Sequence, residues 1–219
     1  TCSTKTSFSS WVARVAAWPV ETLHDRPAGP IIGVLMPRIT GFKALHNLYG
    51  PKTRLAEFPN ANWQFLVHAA ANLARAFAVI HDHGHVIGDV NHGNAAVSSK
   101  AMVTLIDCDS FQIAANGRHY PCEVGVSTLQ PPELQGLPSF RGLVRTRNHD
   151  NFGLAVLIFQ LLMMGRHPFA GRYLGSGDMP IERAILEHRF AYGGVAASRQ
   201  MQAPPNTLPR AALSPPVGA

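Results

Sequence analysis

From Asn62 to His83 the apolar residues Phe65, Leu66, Ala69, Leu73, Phe77 and Ile80 recur at helical spacing, which predicts an amphipathic helix over that span. A second apolar run, "FGLAVLIFQLLMMG" at 152–165, has no polar face. It predicts a helix of about 152–164, buried on all sides, capped by Asn148 or Asp150 and stopped by Gly165. The run is too short to span a bilayer and carries Gln160. "WVARVAAWPVETLHD" and "GPIIGVLMPRI" read as two strands joined by the turn-prone "DRPAGP", with the tail of a helix as an alternative start to the first. "TGFKALHNLYGP" predicts a short helix stopped by Gly50-Pro51. "HVIGDV" and "NAAVSS" flank a loop, and "AMVTLID" is a short strand. Residues 112–149 hold Gly and Pro at many points and read as extended chain with little regular structure. "IERAILEHRFAY" is a shorter amphipathic helix, and "APPNTLPRAALSPPVGA", with five prolines in seventeen residues, is a tail or linker.

That order predicts an α+β chain: a small sheet attached to a mostly helical lobe. Its 219 residues suit one domain or one and a half. A net charge of +6 favours anionic ligands such as nucleotides. The basic residues are scattered without a Lys/Arg block, so the pattern gives no sign of a nucleic-acid surface. Cys2, Cys108 and Cys122 are far apart and odd in number, which suits a reducing cytoplasm better than a disulfide framework. The N-terminus is polar and has no apolar h-region, so neither secretion nor a membrane is expected.

The chemistry concentrates in Asp89, Asn94 and Asp107. Asp89 and Asn94 share a loop between short apolar segments, and Asp107 ends a strand-like run, so the three can converge on one ligand. A nucleoside triphosphate needs divalent ions on its phosphates, and such ions take oxygen from a few carboxylates and amides. An aspartate near the attacking hydroxyl can orient it and take its proton.

Four stretches together resemble the protein-kinase family. "IHDHGHVIGDVNHGNAAV" has the form of the kinase catalytic loop, ending in D-x-x-x-x-N, and "LIDCDSF" lies thirteen residues on, where the metal-binding aspartate falls. "QPPEL" at 130–134 is similar to the element closing an activation segment, and "HDNFGLAVLIFQLLMMGRHPFAG" to the buried helix of the large lobe. The wording, with "GDVN", "IDCDSFQI" and "AWPVE…LMPRI", is nearer to the kinase domains of bacterial helix-hairpin-helix-containing proteins. Those are associated with a von Willebrand A-type partner and a metal-dependent phosphatase in tellurite-resistance-type systems.

The resemblance, over roughly residues 11–205, implies a protein-kinase-like fold with residues 1–39 as a small-lobe remnant and hinge. Residues 40–203 would be the large lobe and 204–219 a Pro-rich tail. It implies transfer of the ATP γ-phosphoryl to Ser or Thr hydroxyls of a protein, with magnesium or manganese. Asp89 would be the catalytic aspartate, and Asn94 and Asp107 the metal ligands. Met36 to Ile39 would be the hinge strand meeting adenine, with Ala96 on the pocket floor. Asp150 would accept backbone N–H groups from the catalytic loop, and Glu133 would enter a buried ion pair with an arginine.

Departures from that pattern shape the expectation. Ile87-Gly88 replaces the usual His-Arg, which removes the acceptor for a phosphorylated loop residue, and Asn91 replaces a lysine. Cys108-Asp109 replaces Phe-Gly; Asp109 either assists the metal or, the favoured alternative, caps the turn. Residues 1–16 show no Gly-rich loop, strand lysine or helix glutamate, so an N-terminally truncated, inactive fragment is expected. Alternatives are a pseudokinase that binds nucleotide or a partner, and a small-molecule phosphotransferase. His81, His83, His85 and His92 lack the further ligands of a zinc site, and His81 is expected to pack at a helix end. Cys122 as a redox handle and Ser127 or Thr128 as phosphorylation sites are weaker readings than ordinary loop roles.

Overall fold

The structure, a computed structural model, describes residues 8–194 and 199–209, with side chains from Val12 onward. The polar residues 1–7, with Cys2, and residues 210–219 of the Pro-rich tail lie outside the described residues. Helix α1 (Phe8–Val15) leads into the hairpin β1 (Glu21–His24) and β2 (Ile31–Leu35), then strand β3 (Phe42–Ala44), helix α2 (Pro51–Glu57) and helix α3 (Trp63–Asp82). Strands β4 (Ala95–Ser98) and β5 (Val103–Leu105) follow, then a hairpin of β6 (Ile113–Ala115) and β7 (Arg118–Tyr120). Helix α4 (Arg147–Leu162), β8 (Arg172–Tyr173), α5 (Ile181–Leu186) and β9 (Met201–Gln202) complete the order. The sheets are small and antiparallel: β1-β2, β3-β4-β5, β6-β7 and β8-β9. Mixed helices and small sheets are compatible with the α+β expectation.

α3 forms where the periodicity predicts it. Asn62 Oδ1 accepts the Phe65 N–H at 2.9 Å and caps the start, and Gly84, at φ +81°, turns the chain after the end. Its Leu66, Leu73, Phe77 and Ile80 pack with Val156, Leu157 and Leu161 of α4 and with Val97 and Leu105 of the sheet. Each such side chain, fully buried, contributes roughly 1.5–3 kcal/mol. Val12 and Ala16 join the same core, so α1 and its exit are seated on this body, and Ala17 N–H donates to Leu105 O at 2.8 Å. The β1-β2 hairpin differs: Ile31 and Ile32, on opposite faces of one strand, are both exposed, as are Leu23, Val34 and Leu35.

Several local expectations are corrected. "TGFKALHNLYGP" is β3 followed by a 3-10 turn at Leu45–Leu48 rather than one helix. Gly50-Pro51 starts a helix instead of stopping one, because a proline at the first helical position loses no intrahelical hydrogen bond. α4 begins at Arg147 after Thr146, whose N–H donates to His149 Nδ1 at 3.2 Å. Asp150 cannot cap it, since its carboxylate is committed elsewhere. "WVARVAAWPVETLHD" begins as α1, the alternative start, before reaching β1. Within the segment read as irregular, Asn116 and Gly117, both at positive φ, turn the chain from β6 to β7.

Candidate active site

Asp150, in the first turn of α4, is 1% exposed and accepts three N–H donors. His81 Nε2 donates at 2.8 Å from the end of α3, and the backbone N–H groups of Ile87 and Gly88 donate at 2.7 and 2.8 Å. A buried carboxylate with its lone pairs so filled is a fixed anchor. The role the resemblance implies for Asp150, accepting backbone N–H groups from this loop, is the one its hydrogen bonds show. His81 is packed at a helix end as expected, with the added duty of holding Asp150. One turn further along α4 the backbone comes close to Val90: a Cβ on Gly153 would lie 2.7 Å from Val90 Cγ1 and 3.0 Å from Leu129 O. Asp89 is therefore held between two residues that α4 positions.

The loop then closes on itself. Asn94 Nδ2 donates to Asp89 O at 3.1 Å and to Asp89 Oδ2 at 3.0 Å, while Asn91 Nδ2 donates to Oδ2 at 3.1 Å. Asn91 Oδ1 accepts the N–H groups of Gly93 and Asn94 at 2.8 and 3.1 Å. With its nitrogen engaged at Asp89, Asn94 keeps its carbonyl oxygen for a ligand. Ile106 N–H donates to Asn94 O at 2.9 Å, and the pairing of Ala95 with Leu105 delivers the next strand end to the loop.

That strand end is Asp107, exposed and in the left-handed region at φ 61°, ψ 40°. Its carboxyl is pushed above the usual range, first by desolvation, then by the charge of Asp109 and a hydrogen bond with it, then by Asp89. Among the described residues no group of three or more His, Cys, Asp or Glu gathers closely enough to hold a metal ion by itself. Asn94 Oδ1 and the Asp107 carboxylate are nonetheless hard oxygen donors beside an excess of negative charge. They fit a divalent ion that completes its shell with phosphate oxygens and water.

Met36, Ile39 and Ala96, the residues that the resemblance would set against adenine, have different surroundings. Met36 follows β2 and is exposed, Ile39 is half-buried, and Ala96 is buried in β4, paired with Ala44 and Thr104. No hydrogen bond among the described residues ties Met36 or Ile39 to the Asp89 cluster. Cavities of about 440 and 430 Å³ are lined by other residues, around Tyr192, Met201 and Thr207 and around Pro132, Phe152 and His188. Glu133 departs from its implied role: its half-exposed side chain faces His149 Nε2 at 3.8 Å rather than a buried arginine. Among the described residues the buried arginine is Arg145, bonded instead to Gly88 O of the Asp89 loop. Sequence reasoning missed it, along with Gln112 and Gln130, because a single Arg or Gln in a Gly- and Pro-rich segment carries no periodic signal. Burial pushes Cys108 up to about 12 and raises Cys122, so neither thiol is a ready nucleophile. No helix among the described residues is long and apolar enough to cross a membrane.

The chain is 46% identical over 198 residues to "Protein kinase YegI" of Escherichia coli strain K12, and equally so to the protein of that name from Escherichia coli O157:H7. Each match covers 90% of this chain and 31% of the relative, so the chain spans about a third of the length of the curated relatives it matches. No family model matches the chain.

Proposed function

We propose that this chain, whose similarity supports a bacterial kinase-like family, carries the catalytic loop and metal-ligand set of a protein kinase transferring the ATP γ-phosphoryl to Ser or Thr hydroxyls. The observation that carries the reading is the closed Asp89–Asn94 loop, anchored on Asp150 and set beside Asp107. Asp89, held from both sides, orients the acceptor hydroxyl and takes its proton as the oxygen attacks the γ-phosphorus and the bond to the leaving ADP oxygen breaks. Asn94 Oδ1 and Asp107 would hold magnesium or manganese, which supplies charge neutralisation on the phosphates. The fold on this reading is protein-kinase-like, with 1–39 as small-lobe strands and hinge and 40–203 as the large lobe. Met36 to Ile39 and Ala96 would take adenine. By family resemblance, the whole protein serves bacterial stress signalling with a von Willebrand A-type partner and a metal-dependent phosphatase.

One observation favours a second reading, a nucleotide-binding pseudokinase. The residue bonded to Asp89 where the kinase pattern has lysine is Asn91, which brings no positive charge to a phosphate. Transfer from γ-labelled ATP by the full-length protein separates the two. Kinase action predicts labelling of a Ser/Thr protein substrate that drops to background in Asp107→Ala; labelling that persists in the variant refutes the metal assignment. Nucleotide binding without transfer by the unsubstituted protein establishes the second reading.

A further inference from the structure

Arg145, two residues before α4, is 2% exposed, and no carboxylate among the described residues pairs with its guanidinium. Its two terminal nitrogens reach main-chain oxygens of two separate segments, while the buried Nε has no hydrogen-bond partner among the described residues. Nη1 donates to Gly88 O, immediately before Asp89, and also to Gln130 Oε1 at 3.4 Å. Nη2 donates to Val124 O at 2.6 Å, in the long segment between Asp107 and α4. The guanidinium lies over the Phe140 ring at 4.3 Å from its centroid. The arginine's own backbone is fixed by Gln112, whose Oε1 accepts the Arg145 N–H at 2.7 Å and whose Nε2 donates to Arg145 O at 2.9 Å. Removing a guanidinium from water is costly unless its donors are taken, and a planar fork can serve two acceptors at once where an ammonium cannot hold both in fixed geometry.

The space at Gly88 shows what this arrangement replaces. Gly88 is at φ +71°, and a Cβ there would lie 2.5 Å from Cys122 Cβ and 3.5 Å from Arg145 Nη1. The position just before Asp89 is thus closed to any side chain. The same turn receives its guanidinium from residue 145 instead.

We infer that Arg145 is a positioning residue that ties the catalytic loop at Gly88 to the 112–149 segment at Val124, so that this segment is ordered without a phosphate on it. The inference rests on the kinase reading for the role of Asp89, but the clamp itself is testable without turnover. Amide hydrogen exchange is measured on the full-length protein after phosphatase treatment, with intact mass confirming that no phosphate remains. Peptides covering 87–93 and 121–126 are expected to be protected in that phosphate-free protein. Arg145→Met is expected to raise exchange in both by about tenfold or more while α3 keeps its protection. Arg145→Lys, which keeps the charge and loses the fork, is expected to loosen both segments to a smaller degree, and it decides alone if Arg145→Met does not fold.

Protection of 121–126 that appears only on phosphorylation overturns the inference, as does wild-type exchange in both segments of a folded variant. ATP transfer by the unsubstituted protein is read on the same samples. Protected segments without transfer count against the kinase reading and support the clamp; transfer with unprotected segments counts against the clamp alone.

Discussion

Asp150 and Asp107 both act on the Asp89 loop, and they handle negative charge in opposite ways. At Asp150 the carboxylate is buried, and His81, Ile87 and Gly88 each give it an N–H. At Asp107 the carboxylate is exposed, the backbone is left-handed, and the nearest influences on its proton are desolvation and two more aspartates. A carboxylate whose partners all come from the protein is complete, and its work is to hold the loop. One set among like charges has room for a positive partner, the part that the proposed reading gives to Asp107.

Substitutions can break that contrast. Asp150→Ala is expected to have the largest effect on stability, about 3–5 kcal/mol, because it strands three buried donors. Urea unfolding measures it, and a loss under 1 kcal/mol would show that the anchor is not structural. Asp107→Asn is expected to fold with stability within about 0.5 kcal/mol of the parent, since it removes an exposed charge that repels its neighbours. Its signature is in pH. A carboxyl raised in the folded state gives its full stability where it is protonated in both states, and that contribution is lost as pH rises through the raised value. The stability of the parent relative to Asp107→Asn should therefore fall as pH rises through the carboxylate range; a pH-independent difference would count against the crowding at this turn. Asp109→Asn should have the smallest effect, a few tenths of a kcal/mol at most, with the Asp107 titration moving back toward its usual value. An unmoved Asp107 titration, followed by NMR of the side-chain carboxyl, would show that Asp109 does not influence it.

The parts of this molecule that repeat were legible in the chain. α3 follows from apolar spacing and α4 from an unbroken apolar run, because both signals are local. The start of α4 was misplaced because Asp150 has the residue type of a cap but spends its oxygens on residues 62 and 63 positions away. Gly50-Pro51 misled in the same manner: the pair fits the end of one helix and the start of another, and only packing decides. The β6-β7 turn has a local signal, Asn116-Gly117, within a stretch whose other Gly and Pro residues read as irregular chain. For the site, D-x-x-x-x-N showed that Asp89 and Asn94 share a loop, and the structure adds the bonds between them. Arg145 was beyond reach, since the two segments it joins are held through main-chain oxygens at positions 88 and 124, which carry no residue identity.

The ring of Trp18 has a practical use. It stacks on His85 with centroids 5.5 Å apart at 17°, and meets Phe111 edge-on at 6.2 Å. One indole thus touches the chain leaving α1, the approach to the Asp89 loop and the stretch just after the Asp107 turn. Indole emission responds to its ring neighbours, so the molecule has a built-in optical reporter at the junction where its two candidate ligand-bearing loops meet. Replacing Trp11 and Trp63, the latter on the exposed first turn of α3, would leave Trp18 as the one tryptophan of these 219 residues and let that junction be followed by light alone, without a label.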